Sequence, residues 1–421
     1  MSDSTHASSH AVSTQSNSAL APLREPLFRS LWVAAVISYI GKWMQMVGAA
    51  WLMTQLTTSP FMVGLVQAAI MLPVFLVILP AGAIADMVDR RRFLLATQAW
   101  MVAAAGSLGI LTLLGLVTPW ILVLFTFLLG LGAVVNDPAW QAITPEVASP
   151  RNHATAVALN SAAFNVARAV GPALGGFVIA ATNCGVAFLM NAAGFTGVIL
   201  FLYRWKRPRV ERSDTSRVTE SLLGGLRYAR SSHMVHCVLV RTAAFSVAAS
   251  SVLALLPVIA QPYGASGYGL LLASFGVGAL AGAGLLPHIR AHYSVDGLMA
   301  AAIVLFAFMA FATGRAGTFA LLAIVLFFAG MAWISIVACL NVAAQIMTPS
   351  WMRARAIALY LLVLQGGMAV GSAGWGALAT KFGVPATMLS SAVALILGLA
   401  AVRRYRITLS EPQLTPSVSA D

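Results

Sequence analysis

Gly82-Ala-Ile-Ala-Asp86-Met-Val-Asp89-Arg90-Arg91-Arg92 is a short charged passage set between two long apolar runs, about 61–84 and 93–116. Each run supplies the roughly 20 residues that an α-helix needs to cross a bilayer core of about 30 Å. Three consecutive arginines are held out of lipid by their hydration. The passage therefore reads as a turn fixed at one face of a membrane, with a spanning helix on either side.

The same alternation of apolar run and short polar break extends in both directions. The first six segments are about 30–55, 61–84, 93–116, 119–141, 155–181 and 184–203. The second six are about 234–260, 267–288, 295–313, 317–342, 354–380 and 384–402. The chain is 60% hydrophobic and 9% charged, against roughly 25% charge in a soluble domain. Such a chain cannot cover a water-facing surface. A β-barrel would show short alternating strands rather than continuous runs. The fold class expected is an all-α membrane protein, with twelve transmembrane helices in two pseudo-symmetric six-helix bundles.

Most of the 25 Lys and Arg lie on one side of this array: Arg24 and Arg29, Arg90 to Arg92, Arg151, the cluster from Arg204 to Arg230, Arg353 and Arg355, and Arg403 to Arg406. Basic loops mark the cytoplasmic face. Both termini are therefore expected in the cytoplasm, and the chain in a bacterial inner membrane. The net charge of +13 sits in these loops, so its partner is anionic lipid headgroups and no nucleic acid. The expected divisions are a disordered cytoplasmic tail 1–27, a first bundle 28–203, a cytoplasmic linker 204–233, a second bundle 234–402 and a cytoplasmic tail 403–421. Cys184, Cys237 and Cys339 have neither disulfide nor metal-ligand spacing and read as small buried hydrophobes. No metal or cofactor is implied.

The two halves echo each other. Gln141-Ala-Ile-Thr-Pro145 returns as Gln345-Ile-Met-Thr-Pro349, and Ala156-Val-Ala-Leu159 returns as Ala356-Ile-Ala-Leu359. Gly171 and Gly176 return as Gly371 and Gly376, with the same offset of 200 as the Ala-Leu match. Shared order and position point to a duplicated six-span unit.

The passage Gly82 to Arg92 resembles the major facilitator superfamily signature G-x-x-x-D-x-x-G-R-[RK]. The resemblance implies a conformational latch made by Gly82, Asp86, Asp89 and Arg90. Asp86 would reach the start of span eleven near Arg355, and Arg90 would pair with Asp137 at the inner end of span four. Asp89 stands where the signature has Gly, which adds a second pairing option. The plainer alternative is a basic cluster with local salt bridges. Span five carries Arg168-Ala-Val-Gly171-Pro172-Ala-Leu-Gly175-Gly176, similar to the G-P-x-x-G-G motif of the export branch. Pro172 removes a backbone hydrogen bond and the glycines admit a close neighbour. Lys42-Trp43-Met44-Gln45, Ala-Asp-Met-Val-Asp-Arg-Arg-Arg from Ala85, and Arg353-Ala-Arg-Ala-Ile-Ala-Leu-Tyr360 resemble the enterobactin-exporter-like subgroup. That likeness implies export of small amphipathic molecules.

Charges inside spans are costly and mark function or pairing. Lys42 and Arg168 lie midway along spans one and five, and Ser161, Asn165, Arg168 and Pro172 form one helical stripe. Lys42 either exchanges a proton or binds an anionic group, or else serves as a structural lysine bonded to Gln45 and helix carbonyls. Lys42, Gln45, Asn165, Arg168, Trp333 and Gln365 are the candidate substrate-cavity residues. No acid is expected near a span centre, so the usual proton carrier looks absent.

The chain contains neither a GxxxxGK[ST] loop nor an H-E-x-x-H motif, which leaves no enzyme reading. The expectation is a secondary active efflux transporter, monomeric, moving a small amphipathic siderophore- or drug-like molecule by alternating access, with a proton as candidate coupling ion. Alternatives are an uptake transporter of the same fold and a non-transporting sensor or assembly protein.

Overall fold

The computed structural model describes residues 20–87, 89–205, 233–346, 348 and 353–402, without the side chains at 78–87, 144–145, 233–234 and 354. Within them run α1 (Pro26–Leu56), α2 (Pro60–Met87), α3 (Arg90–Leu113), α4 (Pro119–Val147), α5 (His153–Ala181) and α6 (Cys184–Arg204). The second six are α7 (His233–Ile259), α8 (Gly264–Arg290), α9 (Val295–Thr313), α10 (Phe319–Ile346), α11 (Arg353–Phe382) and α12 (Val384–Ala401). The Gly82 and Asp86 side chains, the linker from 206 to 232, and the tails at 1–19 and 403–421 lie outside the described residues.

Eleven of these helices are long and apolar enough to cross a membrane. The exception, α1, is ample at 31 residues. Lys42 and Gln45 dilute its apolarity, and nearly all of Met44 to Thr54 is buried against other helices instead of facing lipid. Large apolar side chains such as Leu116, Phe308 and Leu397 stand 58–63% exposed on the outside of the array. That is a surface suited to acyl chains.

Local chemistry sets the helix starts. Thr118 accepts from the Ile121 amide at 3.3 Å with Pro119 at the first helical position. Asn183 does the same for Val186 at 3.1 Å and Ser294 for Gly297 at 3.2 Å. Each cap satisfies an amide that the first turn leaves bare.

The helix packing repeats between halves. In the first half α1 packs on α5 and α6, α2 on α4, and α3 on α4 and α6. In the second, α7 packs on α11 and α12, α8 on α10, and α9 on α10 and α12. Adding six to each label in the first set gives the second. Two long seams join the halves, α2 with α11 and α5 with α8. The same shift exchanges one seam for the other, as a pseudo-two-fold axis requires.

Glycines at the repeated offset place these contacts. A Cβ at Gly171 would stand 2.6 Å from Trp43 Cβ on α1, and one at Gly371 would strike Val247 O and Ser250 Oγ on α7. A Cβ at Gly176 would meet Ala265 O at 2.6 Å on α8, and one at Gly376 would meet Pro60 O at 2.8 Å on α2. Each of α5 and α11 is thus clasped on one side by its own half and on the other by the opposite half.

An even number of crossings puts the start of α1 and the end of α12 on one face, called here the terminal face. The cross-half contacts named above lie toward the other, far face. There the Phe61 amide donates to Thr380 Oγ1 at 3.1 Å, Gln261 Nε2 donates to Thr54 O at 3.4 Å, and Trp51 stacks on Tyr268 with centroids 6.2 Å apart.

Two expectations need correction. Span four does not stop near residue 141, because α4 continues through Pro145 to Val147. The tail expected to reach residue 27 ends earlier. A 3-10 turn spans Ala21–Arg24 and α1 starts at Pro26, held by Glu25. The Glu25 carboxylate accepts from the Ser149 amide at 3.0 Å, Ser149 Oγ at 2.6 Å and Asn152 Nδ2 at 2.7 Å.

A candidate transport cavity

A cavity of about 500 Å³ is walled by α1, α4 and α5 and lies in their halves toward the terminal face. Val157 and Phe164 on its α5 wall are 48% and 38% exposed, so it is reached from outside the bundle. Tyr39 organises the wall. Its hydroxyl receives Trp140 Nε1 at 2.8 Å and donates to Asn160 Oδ1 at 3.3 Å, which joins α1, α4 and α5. The Tyr39 ring meets Phe164 edge to face at 5.4 Å. Two aromatic faces and an indole thus sit beside side-chain amides, a surface able to hold a ring and orient its polar edges.

The charged groups of the wall are Lys42 and Asp137. Among the described residues they form no ion pair with each other. Asp137 was expected at the inner end of span four, bound to Arg90. The structure corrects this, because the extension of α4 places Asp137 about 15 Å from the helix end by the helical rise. Arg90 Nη1 donates instead to Glu146 Oε1 at 2.8 Å, at the terminal end of α4. A carboxylate therefore does occur well inside a span, contrary to expectation.

The other described latch residues also act within the first half. Asp89 caps α3, accepting from the Arg92 amide at 2.9 Å. Arg91 donates to Leu202 O at 2.7 Å and Tyr203 O at 2.8 Å, binding the carbonyls that the last turn of α6 leaves free.

Asn165 lines the cavity while its Nδ2 donates to Ser161 O at 2.9 Å. Gln45 turns the other way, into the first bundle, where Asn191 Nδ2 donates to its Oε1 at 3.4 Å. Arg168 is half-buried, and its Nε is enclosed with no partner among the described residues. Trp333 belongs to an aromatic cluster of the second half, 5.3 Å from Phe245 and 5.9 Å from Phe306, and Gln365 is half-buried on α11. Neither lines this cavity. Arg241, about two turns into α7, reaches toward the terminal face and pairs with Asp296 in the first turn of α9 at 2.6 Å.

Sequence reasoning passed over Tyr39 and Trp140. Both lie one helical turn from a charge, Tyr39 before Lys42 and Trp140 after Asp137. That spacing was the available signal.

Pro172 and Gly176 of span five meet α8 backbone to backbone, while Gly171 and Gly175 pack on α1. A proline at 172 leaves the Arg168 carbonyl without its helical donor. A Cβ at Gly276 would sit 3.2 Å from that oxygen, so in the glycine a Cα hydrogen points at it.

The family model described as "Transmembrane secretion effector" matches residues 17–420. The chain is 27% identical over 413 residues to the enterobactin exporter EntS of Shigella boydii serotype 18 and of Escherichia coli (strain SMS-3-5 / SECEC), covering 94% of this chain and 96% of each relative. It is 28% identical over 171 residues to the staphyloferrin A transporter of Staphylococcus aureus, a match over 40% of this chain and 43% of that relative. Among solved structures it is similar to a bacterial homologue of the human lysosomal transporter Spinster, in an inward-facing and unoccupied conformation. The TM-score is 0.69 with 12% identity over 91% of this chain and 97% of that one. A mutant of the nucleoside transporter NupG gives a TM-score of 0.76 with 12% identity, over 90% and 99% of the two chains. The chain is a multi-pass membrane transporter and belongs to the transmembrane secretion effector family of the major facilitator superfamily.

Proposed function

We propose that this transporter exports a small amphipathic molecule of siderophore type across a bacterial inner membrane by alternating access, in exchange for protons. The observation that carries the reading is the cavity wall. It offers an ammonium at Lys42, a carboxylate at Asp137, aromatic faces at Tyr39 and Phe164, and amides at Asn160 and Asn165. Lys42 suits an anionic edge of the cargo and the rings suit its apolar body. Asp137 supplies the group whose protonation makes the cavity more positive or less so, and so couples cargo affinity to proton occupancy. The terminal face is taken as cytoplasmic from the distribution of Lys and Arg. On that orientation the two glycine-set seams lie on the outer side, which supports an inward-facing state. Of the expected latch, Asp89 and Arg90, with Arg91 and Glu146, serve as a brace around α3, α4 and α6, Asp137 belongs to the cavity wall, and Gly82 and Asp86 keep the role that the resemblance implies.

Counterflow in proteoliposomes tests the assignment, with labelled enterobactin and labelled staphyloferrin A as first probes. Saturable exchange that needs Lys42 and is driven by an inward proton gradient is the expected result. Exchange that survives unchanged in Lys42→Met would remove the cavity assignment. No exchange across a broad panel of siderophores and amphipathic drugs would leave a sensor or assembly protein of the same fold.

A further inference from the structure

Behind the Lys42–Asp137 wall lies a second, smaller chamber of about 110 Å³, set within the first bundle and lined by α1, α2, α3, α4 and α6. Four of its polar side chains are deeply buried: Gln45 is 7% exposed, Gln98 2%, Thr126 5% and Asn191 1%. Part of that lining is satisfied. Thr97 Oγ1 and Gln98 Nε2 both converge on Asn136 Oδ1, at 3.0 and 3.2 Å. The rest is not, for Gln45 Nε2, Gln98 Oε1, Thr126 Oγ1 and Asn191 Oδ1 have no hydrogen-bond partner among the described residues. Burying four such atoms dry would leave each with its desolvation cost uncompensated. They include both donors and acceptors, which is what water satisfies and what a bare cation does not. At about 30 Å³ per molecule the space suits a short chain of waters.

The chamber has two further properties. Lys42 and Asp137 line it as well as the transport cavity, so both charged side chains stand in the partition. It also runs along α4 from Asp137 to Thr126, a span of about 16 Å by the helical rise, toward the far face. We propose that this chamber is a bound-water site that serves Asp137 as a proton relay, separate from the path taken by cargo. The titratable groups facing Asp137 across the two spaces are Lys42 and Tyr39, both from α1. The residues of α3, α5 and α6 that line them are uncharged. The relay extends the proton-coupled reading above and rests on it. The hydration claim stands apart from it.

Two methionines make the hydration directly readable. Met46 and Met101 line the chamber, and Met101 is only 3% exposed, whereas Met53 and Met388 are fully buried and line neither space. X-ray radiolytic footprinting of the detergent-purified full chain oxidises side chains next to bound water. Met101 is expected to be labelled several-fold faster than Met53 and Met388. The excess should fall in Thr126→Val and in Gln98→Met, two near-isosteric changes, and persist in Asp137→Asn. Labelling of Met101 no faster than of Met53 would overturn the proposal. So would Met101 protection by NaCl but not by KCl, which would make the chamber a sodium site. If the chamber proves wet, proton uptake by proteoliposomes, read with entrapped pyranine, should slow several-fold in Thr126→Val and stop in Asp137→Asn. Uptake at the parent rate in Thr126→Val would refute the relay. Footprinting needs no cargo, so a dry chamber and a failed counterflow assay are distinguishable results.

Discussion

Tyr39 shows how much one side chain carries in the cavity wall. It is the acceptor for Trp140 and the donor to Asn160, and it packs on Phe164. Tyr39→Phe keeps the ring and removes both hydrogen bonds. The expected loss is about 1–3 kcal/mol for the two together, visible as a lower unfolding temperature in detergent. Residues are also where the sequence was hardest to read. Asp137 and Glu146 are both acids near the end of the fourth apolar run, and only the true end of α4 decides which one meets Arg90. The apolar run ends near residue 141, but α4 runs on through Pro145 to Val147. It continues because a proline late in a helix costs only one backbone bond and a neighbour's fit. Lys42 was legible since an ammonium within an apolar run has few places to go. Trp333 and Gln365 were not, because helical position alone does not tell a cavity-facing side from a packed one.

At the scale of the helix, the apolar runs recovered eleven of the twelve segments to within four residues at each end, with α4 extending six residues further at its terminal end. Length and hydropathy are strong signals when lipid is the solvent. What hydropathy does not encode is how helix starts are tied down. Glu25 joins the beginning of α1 to the turn between α4 and α5. Hydrogen bonds from Ser149 and then Asn152 hold its carboxyl below the ordinary carboxylate range. A carboxyl depressed in the fold contributes stability that is complete above the unfolded value, and that is lost as pH falls through the folded one. The tie should therefore hold at neutral pH and release on the acid side of the usual Glu range. Hydrogen exchange at the Ser149 backbone amide, taken relative to its intrinsic rate at each pH, should rise at low pH in the parent. In Glu25→Gln it should already be raised at pH 7 and change little with pH.

The α5–α8 seam gives a second element-level prediction. Gly176→Val would put side-chain carbon against Ala265 O and the Gly269 backbone. Overpacking of this kind costs about 1–3 kcal/mol. Because the clash exists only with the seam closed, the change should favour opening at the far face. Spin labels at Thr182 and Gln261, both exposed there, should report a longer distance in Gly176→Val. No change in that distance would mean that the seam yields locally instead.

For the whole molecule, the sequence repeat proved to be spatial. Two glycines and their copies 200 residues later occupy equivalent places in a packing pattern that maps onto itself when the halves are exchanged. Membrane sidedness is the remaining global property, and Cys184, Cys237 and Cys339 are free and buried, so they give little background. Thr58→Cys on the far face and Tyr293→Cys on the terminal face are both at exposed positions. A membrane-impermeant maleimide added to intact cells should modify the first and spare the second. The reverse pattern would invert the transporter and the direction proposed for it.

The seams have one further consequence. They close by bare backbone lying on bare backbone, with few interlocking side chains to withdraw when they part. A door built that way is indifferent to what passes through it. Discrimination among cargoes must then be made in the pocket, before the door moves. Exchanging the few wall residues of α1, α4 and α5 for those of a relative should retarget the protein while its rocking machinery stays untouched.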